Sequence, residues 1–240
     1  MISEMKIDII YRCCETDTRG PARPKYFSKL NCLNNMLDVF KYADRPKGIE
    51  VDIIALHDGP IGPLHEQLEY CDVTIEKINV NDNAKSLELS LNLGAGLPET
   101  DIIYFLEDDY LHTDDAVSVL VEGFEVSSKV NSSNIITGYD HPDRYTRSDD
   151  VDRGQTHLFL GKLRHWRTGE STTCTWATTQ KSFLEDKICE NALKFGLNDR
   201  ELFRYLRTQG TILFTPIHCA STHCHEPFLS PFINWEHCCL

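Results

Sequence analysis

Residues 102–106 (IIYFL) form an apolar run that stops at three consecutive carboxylates, Glu107, Asp108 and Asp109. The run is too apolar for a surface segment and too short for a membrane span, so it predicts a central parallel strand buried on both faces. Clustered anions repel one another and resist desolvation, and a buried strand that ends in three of them needs compensation. A divalent cation would supply it. Oxygen ligands at the carboxyl end of a strand suit Mg²⁺ or Mn²⁺, which hold phosphates through one or two protein carboxylates. Open α/β sheets bind ligands at that end. The competing reading is a solvated acidic turn leading into the next helix.

The rest of the chain supplies the sheet. Residues 6–11 (KIDIIY) and 51–56 (VDIIAL) read as strands, followed by a shorter, more polar one over 73–80. Further strands are predicted over 135–138 and 211–214. Helices are predicted over 25–42, 83–93, 113–130, 182–195 and 198–207. Thr113 is placed as an N-cap, and Ser182 with Glu185 as a capping box. Gly94, Gly96 and Gly196 serve as helix stops. Strands alternating with helices at this rhythm imply a mostly parallel sheet with helices on both faces. Between residues 139 and 172 the chain turns polar, charged and aromatic with weak periodicity, which fits a functional loop or a small antiparallel insertion.

Composition narrows the function. The formal net charge of −13, without any long Lys/Arg cluster, argues against nucleic acid or an anionic membrane as partner. A nucleotide whose phosphates a metal neutralises stays open. No stretch approaches the length of a transmembrane helix and the first residues do not read as a signal peptide, so a cytoplasmic protein, at most peripheral to a membrane, is expected. Ten cysteines, two pairs of them vicinal and none in a CxxC, read as reduced thiols.

Three features fall at strand ends: Arg12, the His57-Asp58-Gly59 turn, and Glu107-Asp108-Asp109. Asp58 suits hydrogen bonds from a base or ribose, or simply a turn. Neither GxGxxG nor GxxxxGK[ST] occurs, so dinucleotide and P-loop readings lose their main support. Asp199 either complements a helix dipole or acts as a general base. The tail gathers His218, His223, His225 and His237 with four cysteines. That invites a zinc site, although the usual ligand spacings are missing.

In order and spacing these motifs resemble the nucleotide-sugar glycosyltransferases of the GT-A fold, family 2 pattern. They are HDG after the second strand, NDNAKSLELSLNLG, EDD in place of DxD, ND before RELFRYL in place of ED, and STHCHEPFLSPFINWE at the end. The resemblance spans residues 6 to 237. It implies a single domain over 1–240, with a nucleotide-sugar-binding half to about residue 138 and an acceptor-binding half beyond. It implies Mn²⁺ or Mg²⁺ on Asp109 and His223, and a nucleotide sugar (UDP-sugar favoured) near Arg12, Asp58 and Asp108. Asp199 would be the catalytic base, with inversion at the anomeric carbon. A glycan or glycoconjugate acceptor is expected on the aromatic segment 139–176, with Trp166 and Trp176 either stacking on its sugars or serving as core residues of a second lobe. The alternatives are a metal-dependent nucleotidyltransferase and a non-enzymatic, zinc-stabilised binding module.

Overall fold

The apolar run 102–106 lies in the middle of a nine-stranded sheet. The computed structural model describes residues 4–17, 20–43, 45–146, 156–173 and 175–239. Strands β1 (Met5–Cys14), β2 (Ile49–Asp58), β3 (Thr74–Ile78) and β4 (Ile102–Glu107) pair in parallel in the order β3-β2-β1-β4. All five residues of the run are buried, as a strand covered on both faces requires. The chain then makes β5 (Tyr110–His112), β6 (Asn134–Ile136), β7 (Leu158–Leu160), β8 (His165–Gly169), β9 (Trp176–Thr179), β10 (Ile212–Ile217) and β11 (Ser221–His223). The sheet continues past β4 as β9-β6-β10-β8-β7, with β9 and β8 running against their neighbours. This is the expected mostly parallel α/β architecture, extended by interleaved antiparallel strands.

Helices cover both faces. On one, α1 (Lys29–Leu37), α2 (Pro63–Tyr70) and α4 (Ala116–Ser127) pack Leu33, Met36, Leu64, Leu68, Val119 and Leu120 onto Ile7, Ile9 and Tyr104. On the other, α3 (Asn83–Ala95), α6 (Gln180–Glu185), α7 (Ile188–Phe195) and α8 (Asp199–Thr208) pack onto Ile10, Ile103 and Phe105. In α8 the 3.6-residue period brings Leu202, Phe203 and Leu206 inward. Each such burial stabilises the fold by roughly 1.5–3 kcal/mol. A short helix, α5 (Asp143–Thr146), sits in the polar segment.

Local chemistry moves several expected boundaries. The first helix starts at Lys29 because Ser28 caps it, accepting from Asn31 N at 3.0 Å. Thr113 does not cap α4; its hydroxyl bonds Asp115 at 2.7 Å, and the helix begins at Ala116. The expected helix 182–195 is two helices, broken at Lys187 in the left-handed region (φ 57°), and its cap is Thr179 rather than Ser182. Gly196, also at positive φ (56°), closes α7 as expected.

Candidate functional site

The cleft lies at the carboxyl ends of β1, β2 and β4, where an α/β sheet presents its ligand site. Arg12, Lys29, Asp58, the three carboxylates of the β4 end, His223 and His225 line it, with Asn81, Asp82 and Asn83 before and at the start of α3. Its volume is about 370 Å³, within the range of small-molecule sites.

Each carboxylate of the acidic triplet faces its own basic side chain. Arg12 pairs with Glu107 and also bonds Asn83 and, at 2.8 Å, Ser86 Oγ. Lys29 Nζ lies 2.8 Å from Asp108, which also accepts from Cys14 N at 2.8 Å. Arg23 lies 2.9 Å from Asp109 Oδ2, is held from behind by Asp17 at 2.9 Å, and stacks on Phe27 at 4.2 Å. Protein cations therefore compensate the triplet, so the clustered acids alone do not call for a metal. Burial raises the Glu107 and Asp108 carboxyls above their ordinary range, against the pull of Arg12 and Lys29. Asp109 goes the other way: burial would raise it too, but His223 and Arg23 outweigh that and hold it well below the usual carboxylate range.

What favours a cation is the pair of histidines. The β11–β5 ribbon sets His223 opposite Tyr110, and Cys224 N bonds Asp109 O at 2.8 Å. Nε2 of His223 consequently comes within 3.0 Å of Asp109 Oδ2, with its ring stacked on Tyr110 at 5.0 Å. A tight turn closed by His225 N donating to His223 O at 2.9 Å then brings His225 to the same site, its Nε2 at 3.7 Å from the same oxygen. One donor atom from each of Asp109, His223 and His225 lies within 4.8 Å of the others, and among the described residues this is the single such grouping.

The tautomer also fits. Nδ1 of His225 bonds the Pro21 carbonyl at 3.0 Å, so it carries the proton and Nε2 is free to ligate. Burial lowers the His225 pKa, which favours this neutral form. Gly20 makes the contact possible, since a Cβ there would meet His225 Cε1 at 2.9 Å. One carboxylate and two imidazoles suit Mn²⁺ or Zn²⁺ better than the all-oxygen shell Mg²⁺ prefers.

Of the residues singled out in the sequence, Arg12, Asp58, Asp108, Asp109 and His223 come together in this cleft. Asp58 fixes the loop ahead of α3, accepting from Val80 N at 2.8 Å and Asn81 N at 3.1 Å. Asp199 opens α8 half-buried, outside the cleft lining. The short turn from α8 into β10 sends the helix back along the strand, which leaves Asp199 toward the same end of the sheet as the cleft. Trp166 and Trp176 are core residues, which decides between the two readings the sequence left open and removes them as sugar-stacking surfaces. Trp166 is fully buried and donates to Glu122 at 3.2 Å; Trp176 packs between Phe105, Phe183 and Phe203. Part of the expected acceptor segment, residues 147–155 and Cys174, lies outside the described residues. The described cysteines are free thiols, and none joins the candidate metal group.

Sequence reading missed Arg23 and Lys29, and named His225 only as one of four tail histidines open to a metal. The His-x-His spacing at the end of a strand was the available signal for pairing it with His223. Arg23 and Lys29 sit in a loop and a helix start whose approach to β4 only the fold reveals.

No protein-family model matches the chain, and no curated protein does. Solved structures do. Over 88% of its length the chain is similar to TarS of S. aureus, with a TM-score of 0.51 and 11% identity, and it spans 35% of that chain. It is also similar to CMP:2-keto-3-deoxy-manno-octonic acid synthetase complexed with CTP, with a TM-score of 0.50, 13% identity and 88% of both chains covered. The fold is GT-A-like. At these identities the likeness speaks for the fold alone.

Proposed function

We propose that the protein is a metal-dependent glycosyltransferase. It moves a sugar from a nucleoside-diphosphate sugar, UDP-sugar favoured, to a hydroxyl of a glycan or glycoconjugate, with inversion. The observation that carries this reading is the convergence of Asp109, His223 and His225 in a cleft that also holds Asp58 and the Asn81–Asn83 loop. The fold shared with TarS is compatible with this reading.

Asp109, His223 and His225 would hold Mn²⁺, with Mg²⁺ the poorer fit, and the ion would supply Lewis-acid stabilisation of a departing diphosphate. The chain's own cations share that work. Lys29 and Arg23 lie on either side of the β4 end, within reach of phosphate oxygens once these compete with Asp108 and Asp109. Asp58 and the loop it braces offer the base and ribose a preorganised edge. Asp199 is the proposed general base, on the strength of the ND-helix motif and its end of the sheet.

The rival transferase reading, a nucleotidyltransferase, draws on the synthetase, whose chain is matched over the same 88% as this one. A thermal-shift titration with UDP, GDP, ADP and CTP, each with and without Mn²⁺, tests both. Ligand at about 100 times its dissociation constant adds roughly 2.7 kcal/mol of stability. A shift with UDP that needs Mn²⁺ and disappears in Asp109→Ala supports the glycosyltransferase. A shift with CTP, followed by pyrophosphate release when a sugar acid is added, favours the rival. Absence of any nucleotide shift, with collapse on chelation, sinks both and leaves the zinc module.

A further inference from the structure

Phe232 is 68% exposed yet holds φ at +75°, in the left-handed region that a bulky side chain avoids. Its ring meets His218 at 5.6 Å, and His218, also exposed, holds φ at +33°. Such backbone persists only where the surroundings over-determine it, and it concentrates at functional sites. The surroundings here do so. Ser230, just before Phe232, is buried and bonded to Thr222 Oγ1 at 2.8 Å and Ser221 O at 3.1 Å; Trp235, just after, is buried and donates to Ser230 O at 2.9 Å.

The third ring is Tyr145, 44% exposed and edge-on to Phe232 at 5.7 Å. Its hydroxyl donates to the buried Asp140, and Arg167 lies 4.9 Å over its face. In the same two chain segments, Phe228 contacts His223 and His225 of the cleft, each at 5.8 Å, and His141 at 5.4 Å. Tyr139 ties the two segments together by donating to the Phe228 carbonyl at 2.7 Å.

We infer that Phe232 and Tyr145, edged by His218, form a binding platform for a saccharide ring of the acceptor. The inference rests on the glycosyltransferase reading for the word acceptor, while saccharide binding itself does not. A pyranose has an apolar C–H face and a hydroxyl rim, matching the exposed Phe232 ring edged by an imidazole and by Tyr145, one face of which Arg167 covers. The apolar area of these rings is far below the roughly 1,200 Å² of a stable protein–protein interface. The platform therefore suits one or two sugar units rather than a folded partner or a second copy.

The test is saturation-transfer-difference NMR with a panel of methyl glycosides (gluco, galacto, manno and N-acetylglucosaminyl), read beside a UDP–Mn²⁺ thermal shift. The wild type is expected to transfer saturation to the axial-face protons of at least one glycoside. Phe232→Asn tolerates positive φ and keeps the fold; with Tyr145→Ala it should weaken that binding at least tenfold while leaving the nucleotide shift unchanged. Phe232→Tyr should retain it. Failure of the whole panel with wild-type protein overturns the platform, as does equal binding by Phe232→Asn. Saccharide binding without any nucleotide shift would keep the platform and sink the transferase reading instead.

Discussion

The two halves of the sheet present aromatic and charged residues in opposite ways. In β1, β2 and β4 the strands are continuous and largely apolar, and the charged groups of the cleft sit at their carboxyl ends, where Arg12, Asp58 and the acidic triplet meet. In the half built from β6 to β10, polar and aromatic residues go inside. Trp166 is buried and Glu122 accepts from the backbone N–H groups of Lys162, Leu163 and Arg164, while the exposed rings of Tyr145 and Phe232 lie outside the strands. Strand-end chemistry thus marks the site in the first half, whereas in the second an aromatic residue in a strand marks the core.

Breaking the second half should cost the most stability. Trp166→Ala removes a fully buried indole and one of the hydrogen bonds to Glu122, and is expected to destabilise by roughly 3–5 kcal/mol in urea unfolding. A loss below about 1 kcal/mol would return Trp166 to the list of surface candidates. Breaking the first half should cost function instead. Asp109→Asn is expected to weaken Mn²⁺ binding by about 100-fold, near 2.7 kcal/mol, measured by calorimetry.

Acid sharpens the comparison further. His112 is buried against Phe40 and bonds Tyr104 through Nε2 at 3.0 Å, while its Nδ1 has no hydrogen-bond partner. Burial lowers its pKa to about 3. The unfolded chain therefore takes up this proton near pH 6.5 and the folded protein does not. The stability His112 contributes is complete above that pH and is lost as pH falls toward 3, by at most about 1.4 kcal/mol per pH unit. Urea unfolding between pH 7 and 4 should show this slope, and His112→Gln should flatten it. A smaller effect is expected of Arg23→Gln. Removing a guanidinium from Asp109 Oδ2 should tighten Mn²⁺ several-fold in the absence of nucleotide. Weaker Mn²⁺ binding would mean that Arg23 organises the site rather than competing for it.

The same contrast explains what could be read in advance. Residues 102–106 and 51–56 announce themselves because a parallel strand buried on both faces is apolar throughout. β8 (HWRTG) and β9 (WATT) carry no such run; they are strands because β10, β4 and β6 offer them edges, a non-local cause. α2 was hidden for a similar reason. Glu15, from the end of β1, accepts from Leu64 N and His65 N at its first turn, so the cap lies some 50 residues away. At the site, Asp109 and His223 were legible from motif order, and the neutralisation of each acid by Arg12, Lys29 and Arg23 was not.

The most direct test is pulsed electron paramagnetic resonance of Mn²⁺ bound to the wild type, Asp109→Ala and His223→Ala/His225→Ala proteins, each with UDP. One ion per chain, with nitrogen modulation from directly bound imidazole that disappears in the double histidine variant, is the predicted result. A bound ion without nitrogen modulation, or one indifferent to all three substitutions, would contradict a metal centre at Asp109, His223 and His225.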